Sequence, residues 1–347
     1  MSHHKDRHIP HVEHGSRVSF ATFNVLNLAM PDRDYYLGQQ FNEHEFRKKV
    51  TWVAHQLHTM NADIVGFQEI FHREALEMAI KSSGVYDLSK GKASLIIGDE
   101  TGNLPRVALL SRYPVTKCEV ISAFPLEARL DAEGVAIPYT SFQRPVIKAR
   151  VRLPNGVEAV VFVVHLKSKR PEVPEGRNRH DPWEEAAGQA RSLIIRACEV
   201  AALRWMIVDE LRDSETPLVL MGDLNDTTHA VTSDILQGSY PQRRYPMDVR
   251  RKLWDALLYS CSDLQVRRSF KDVYYTHLHN SQYESLDHIL VSQEFVNENP
   301  RHVGAVEYLR LYNDHLLDQS LTDEPQPSWQ SDHGQVLVSI KLREMCS

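Results

Sequence analysis

Apolar runs of strand length recur along the whole chain, and only a few stretches show helical periodicity. That rhythm narrows the fold more than any other feature. Residues 17–24 (RVSFATFN) alternate, with Val18, Phe20 and Thr22 on one face and Ser19, Ala21 and Phe23 on the other. Phe46, Val50, Val53, Leu57 and Met60 then follow at steps of four, three, four and three. This spacing predicts one apolar stripe of an amphipathic helix. Residues 62–68 (ADIVGFQ) predict a buried strand. Further strands are expected at 94–98, 106–111, 115–122, 144–153, 157–165, 217–222, 286–292 and 335–342. A long helix is expected at 184–212, acidic in its first turn. Many strands with few helices predict an α+β chain of sheets packed on sheets, with helices outside. Segments 168–183 and 238–252 carry Arg and Pro and are expected to be surface loops.

The chain has 347 residues and a formal net charge of -6. A protein holding nucleic acid by overall charge would be basic, so contact of that kind has to come from local patches. The four cysteines, Cys118, Cys198, Cys261 and Cys346, form no CxxC pair and outline neither a zinc site nor a disulfide framework. No stretch approaches the ~20 apolar residues of a membrane helix. Residues 1–15 are polar and rich in histidine (His3, His4, His8, His11, His14), without the apolar core of a signal peptide. They are expected to form a disordered tail before one domain spanning 16–347. A cytoplasmic location is expected, or a secreted one if a leader was removed.

Several acidic, amide and histidine residues fall where predicted strands end. Glu69 follows IVGFQ, so its carboxylate would emerge at a strand terminus. Asp223 and Asn225 follow PLVLMG; two apart on an extended chain, they would point to one side. Gly222-Asp223 and Asn225-Asp226 are equally good turn formers, and a plain turn explains them as well. His165 ends VVFVVH, where a lone histidine is more often structural than catalytic. Asp287 opens an apolar run inside SLDHILVS, and Asp332-His333 precedes the run GQVLVSI.

Together these residue types suit hydrolysis of a phosphate ester. A hard metal takes oxygen ligands and needs only one or two protein carboxylates, which Glu69 and Asp332 would supply. It would polarise the phosphoryl oxygen. A histidine near neutrality suits the proton transfers, and a carboxylate that fixes its tautomer improves it, as Asp287 would for His333.

The motifs FNVLN, DIVGFQEI, FVVHLKSK, GDLND, SLDHILVS and SDHGQV, taken in this order, resemble the endonuclease/exonuclease/phosphatase superfamily of pancreatic deoxyribonuclease. The resemblance spans residues 17 to 342 and is strongest to bacterial DNA-degrading nucleases of the secreted type. It implies a four-layer α/β/β/α sandwich and a Mg²⁺ or Mn²⁺ cofactor, with Ca²⁺ as a further, structural ion. It implies metal-side roles for Asn24, Glu69 and Asp332. Asp223 and Asn225 would orient water and phosphate, His333 with Asp287 would be the general base, and His165 would bind the phosphate and act as the acid. SFQRPV similarly makes Arg144 a phosphate contact, and Arg106 is a weaker candidate. The partner carboxylate of His165 is unplaced, with Asp99 and Glu100 as options.

Lys167, Lys169 and Arg170 follow His165 directly, and Arg177 and Arg179 lie in the same loop. Lys167 and Lys169 are expected to hold phosphates without reading sequence. Arg243, Arg244, Arg250, Arg251 and Lys252 form a second basic group with Tyr240 and Tyr245 among them, either a stacking surface or a solvated loop. The expected activity is an endonuclease acting on DNA or also RNA, as a monomer. The alternatives are a phosphatase or phosphodiesterase acting on a phospholipid, inositol phosphate or small phosphate ester, and a catalytically silent binding module. The complete set of site residues argues against the last.

Overall fold

The computed structural model describes residues 16–36, 38–89, 91–98, 104–242, 244–266, 274–279, 282–317 and 326–344. The tail 1–15, Asp99, Glu100, Arg243 and Cys346 lie outside the described residues. In chain order the first elements are β1 (Arg17–Leu28), α1 (Glu43–Met60), β2 (Ile64–Ile70), α2 (Arg73–Ser83), β3 (Ser94–Ile97), β4 (Arg106–Ser111) and β5 (Val115–Ala123). A small hairpin, β6 (Asp131–Ala132) and β7 (Val135–Ala136), precedes β8 (Ser141–Arg152), β9 (Glu158–His165), α3 (Pro182–Leu211) and β10 (Leu218–Asp223). Then come α4 (Val231–Gln237), α5 (Met247–Asp255), β11 (Leu258–Ser260) and α6 (Cys261–Val266). The chain continues with β12 (His277–His279), β13 (Gln282–Glu284), β14 (Asp287–Ser292), β15 (Gly304–Tyr312) and β16 (Gln335–Leu342).

Two mixed six-stranded sheets form, in the orders β15-β16-β1-β2-β4-β3 and β11-β14-β10-β9-β8-β5. Each has one parallel pair at its centre, β1 with β2 and β9 with β10, and the remaining pairings are antiparallel. Each parallel pair is joined through a helix, α1 or α3, as a parallel connection requires.

Three apolar layers separate the four layers of structure. Val18, Phe20, Ile64, Val161, Val163, Val219, Met221 and Val338 fill the space between the sheets. Ala21, Phe23, Val65 and Phe67, on the opposite face, pack under Phe46, Val50, Val53 and Leu57 of α1 and Leu76 and Ile80 of α2. Val160, Phe162, Leu218 and Leu220 pack under Leu203, Met206 and Ile207 of α3. Both faces of the central strands are therefore buried, which is why they read as nearly continuous apolar runs. This is the α/β/β/α sandwich expected from the sequence.

Local chemistry sets the helix ends. Asn42 and Glu45 form a capping box at the start of α1, and Asn61 closes it in the left-handed region. Asp181 caps α3, with Pro182 in its first turn. Short elements such as α2, α4, α6 and the β12–β13 hairpin were not anticipated, and two further differences have a clear cause. Segment 238–252 is not all loop, since α5 begins at Met247; none of its residues is buried. Strand β15 was unanticipated, because a bulge between Val306 and Tyr308 interrupts its alternation. Cys118, Cys198 and Cys261 are free thiols. Among the described residues no helix is long and apolar enough to cross a membrane.

Candidate active site

The two parallel pairs end at the same edge of the sandwich, and the polar cluster forms there. In the second sheet Asp223 is in register with His165 on β9 and with Asp287 on β14, so three chemical side chains share one row. Gly222 makes the row possible. A Cβ there would lie 2.0 Å from the Val164 carbonyl oxygen, so only glycine lets β10 approach β9 this closely. In the first sheet the register slips after Asn24 on β1 and between Phe67 and Ile70 on β2. Glu69 sits in that second irregularity with φ 66°, an uncommon conformation for a residue with a side chain. The bulge takes Glu69 out of the regular strand alternation.

Hydrogen bonds join the two sheets across this edge. The Asn24 amide donates to Glu69 Oε1 at 3.3 Å and to Asp223 Oδ2 at 3.1 Å. The Asn27 backbone N–H donates to Glu69 Oε2 at 3.1 Å. Ser331 Oγ donates to the Asn24 carbonyl and accepts from the His333 N–H, which fixes the turn carrying Asp332 and His333 against β1. His333 Nδ1 donates to Asp287 Oδ2 at 2.7 Å, the pairing anticipated for these residues. His333 Nε2 lies 3.9 Å from Asp223 Oδ2, and His165 Nε2 lies 3.5 Å from the same oxygen and 4.0 Å from Glu69 Oε1. Asp223 and Asn225 are brought together by a turn rather than by strand alternation. Asn225 has φ 53°, its N–H donates to Asp223 Oδ1 at 2.8 Å, and its amide donates to the Leu166 carbonyl.

Burial governs the charges. It pushes the Glu69 carboxyl up, with neighbouring Asp332 adding to the rise and His333, Arg144 and Asn24 opposing it. It also raises Asp223, aided by Asp287 and Glu69 and opposed by His333. For His333 burial pulls downward, but the Asp287 and Asp223 carboxylates outweigh it and hold the imidazole well above its ordinary value. His165 is pushed well below 6.5 by burial, with Arg144 and His333 adding to the fall, so it is a neutral imidazole at neutral pH. Its Nδ1 has no partner among the described residues.

The donors fit a hard divalent cation. Asp332 is close enough to Glu69 to disfavour its charge, and Asp332 Oδ1 is buried without a hydrogen-bond partner among the described residues. A cation held by these oxygens, with the Asn24 amide beside them, would answer both features.

The expected phosphate contacts are placed less uniformly. Arg144 lies beside Glu69 and His165, donates to the Leu166 carbonyl at 3.1 Å, and hydrogen-bonds Tyr36. Lys167 is buried and its ammonium pairs with Glu172 at 2.9 Å. Lys169 pairs with Glu284 at 2.8 Å. Arg106 is buried and donates to the Phe71 carbonyl, propping the chain just beyond β2. Glu199 on α3 accepts from the N–H groups of Gln143 and Lys167 and so fixes the backbone on either side of Arg144 and His165. Arg196 clamps Asp226 and the Lys167 carbonyl.

Two residues near the cluster escaped the sequence reading. Tyr36 stands next to Arg144, with Glu69 and Arg170 near. Lys49 is fully buried on α1, its ammonium 3.4 Å from the Ser328 carbonyl and 5.5 Å from the Phe41 ring centre. Burial lowers its pKa to about 8, while Glu69 and Asp332 pull the other way. A signal was present, because Lys49 stands three residues after Phe46 and four before Val53, on the apolar stripe itself.

The Endonuclease/Exonuclease/phosphatase family model matches residues 21–333. No match is found among curated proteins. Among solved structures, an endonuclease/exonuclease/phosphatase from Bacteroides vulgatus superposes with a TM-score of 0.54 at 15% identity, covering 94% of this chain and 100% of that one. D. rerio TDP2 complexed with a single-strand DNA product gives 0.52 at 13% identity, covering 94% and 99%. A mannosyl-6-phosphatase from Bacteroides thetaiotaomicron gives 0.52 at 14% identity, covering 93% and 99%. At such identities the likeness is one of fold.

Proposed function

The chain belongs to the endonuclease/exonuclease/phosphatase family, whose members are metal-dependent phosphoesterases, and from that premise we propose that it hydrolyses phosphodiester bonds of DNA as an endonuclease. The observation that carries this reading is the continuous cluster linking both sheets: Asn24 to Glu69 and Asp223, His165 beside Asp223, and His333 on Asp287. A Mg²⁺ or Mn²⁺ ion held by Glu69 and Asp332, when bound, supplies charge stabilisation to a phosphoryl oxygen.

The chain's own residues do the rest. Asp223 and Asn225 orient the water. His333, held in one tautomer by Asp287, takes the proton on Nε2 as the water oxygen attacks phosphorus and the bond to the leaving oxygen breaks. The leaving oxygen takes its proton from solvent. His165, kept neutral by burial, serves as a hydrogen-bond donor to the phosphate. Arg144 and Tyr36 hold the same phosphate. D. rerio TDP2, with its single-strand DNA product, supports a nucleic-acid substrate for this fold.

A second reading is favoured by one observation. Lys167 and Lys169 are both tied to carboxylates, which leaves fewer cations to track a nucleic-acid backbone. A small phosphate ester, as in the mannosyl-6-phosphatase of this fold, is that alternative. Nicking of supercoiled plasmid with Mg²⁺, Mn²⁺ or EDTA decides between them. Metal-dependent nicking, absent with EDTA and in His165→Ala, is expected. No nicking alongside release of phosphate from a sugar phosphate would move the assignment to the second reading.

A further inference from the structure

A second group of potential ligands overlaps the first and adds to it His277, which has no part in the hydrolysis described above. His277 opens β12, and a backbone bridge joins it to His333. The two imidazole rings are 5.1 Å apart. One ligand atom from each of His277, Asp332 and His333 falls within 4.8 Å of the others. His277 Nδ1 and Asp332 Oδ1 are both buried without a hydrogen-bond partner among the described residues. Two imidazoles and one carboxylate differ in kind from the all-oxygen donors Glu69 and Asp332. Mg²⁺ prefers oxygens, whereas imidazole suits a borderline ion such as Zn²⁺. The second shell agrees. His333 Nδ1 is already committed to Asp287 at 2.7 Å, which leaves Nε2 as the free ligand atom. A carboxylate behind a ligand imidazole is the usual support of a zinc-bound histidine.

We propose that His277, His333 and Asp332 form a Zn²⁺ site, open at its fourth position, whose occupation switches hydrolysis off. The switching clause rests on the proposed function, since zinc there would occupy the nitrogen that takes the proton and share Asp332 with the activating cation. The binding clause stands without it.

The test uses the full chain in saturating Mg²⁺, titrated with Zn²⁺ against a chromogenic chelator, and compares the wild type with His277→Ala. The histidines of residues 1–15 are common to both and cancel in the difference. The wild type is expected to hold one more tight zinc equivalent. The variant should bind that equivalent at least about tenfold more weakly, keep its Mg²⁺-dependent cleavage and lose its sensitivity to zinc. His277→Asn, closer in polarity, provides the same comparison should the alanine variant melt early. Equal zinc binding in wild type and variants overturns the site. Weaker binding with undiminished zinc inhibition overturns the switch. A wild type without metal-dependent cleavage sinks the proposed function instead, and the zinc titration still decides the site.

Discussion

Lys49 has no access to solvent, and its ammonium, beside the Ser328 carbonyl, feels the carboxylates of Glu69 and Asp332. Its folded pKa of about 8 lies below the unfolded 10.5. Between those values the unfolded chain binds more protons, so stability must rise with pH across that window. The rise attributable to this side chain is at most roughly 3 kcal/mol. Lys49→Met should remove it and stabilise the metal-free protein at neutral pH. Urea unfolding in EDTA at neutral pH and near pH 10 checks this, and equal pH responses of the two proteins would refute the buried-charge account. His333 gives the opposite sign. Its pKa is held well above 6.5, so its base form is scarce at neutrality and kcat/KM should climb as pH rises through and beyond it. Asp287→Asn removes the main carboxylate behind that rise. The pH limb should move to lower pH, while kcat falls by roughly 10²- to 10⁴-fold as the tautomer is lost. A limb that stays in place would show that some other group takes the proton. Glu69, His165, Asp223, Asp287 and His333 stood out in the sequence because each ends, opens or precedes an apolar run, whereas Asn24, inside β1, stood out only through the resemblance. His277 was not, because the segment around it lacks apolar alternation and only the tertiary fold sets it against His333. The φ of Glu69 was hidden too, since nothing in IVGFQEI marks a bulge.

Elements were legible wherever burial left a period. Central strands and α1 bury whole faces and announce themselves, whereas α5 buries none of its residues and β15 is broken by a bulge, and neither does. Turn geometry was less accessible. For Asp223 and Asn225 the sequence left strand alternation and a turn equally open, and the turn is what forms: β10 stops at Asp223 and a left-handed Asn225 turns the chain. The contact between β9 and β10 depends on one missing side chain. Gly222→Ala would force a Cβ to 2.0 Å from a backbone oxygen, and backbone does not yield as a flexible side chain would. A loss of ~3 kcal/mol or more is expected by denaturant titration, with activity falling in step because the row of His165, Asp223 and Asp287 spreads. A Gly222→Ala protein of wild-type stability would mean that the strands can part without cost.

Seen whole, the molecule is two strand–helix–strand units, β1-α1-β2 and β9-α3-β10, meeting where their parallel strands end. Ligands commonly gather at the carboxyl ends of parallel strands. The net charge of -6 means that a polyanion is held only by what lies near that edge. Among the described residues Arg144 and Arg170 are cations placed there and open to a substrate, while Lys167 and Lys169 are occupied by carboxylates. With DNA as substrate, log(1/KM) against log salt should fall with a slope of about −2, one unit for each phosphate neutralised. A flat dependence would favour the small phosphate ester, which has no condensed counterions to release. The order of strands also has a consequence for the protein's birth. β1 lies between β2 and β16, so its second edge stays unpaired until residues 335–342 are available, more than three hundred positions downstream. The same closure brings Ser331 onto Asn24 and completes the cluster. A nascent chain on the ribosome therefore carries an open sheet edge and an unassembled site until residues 335–342 have emerged. The protein should depend on chaperones during that interval, and it should gain activity only once β16 has paired with β1.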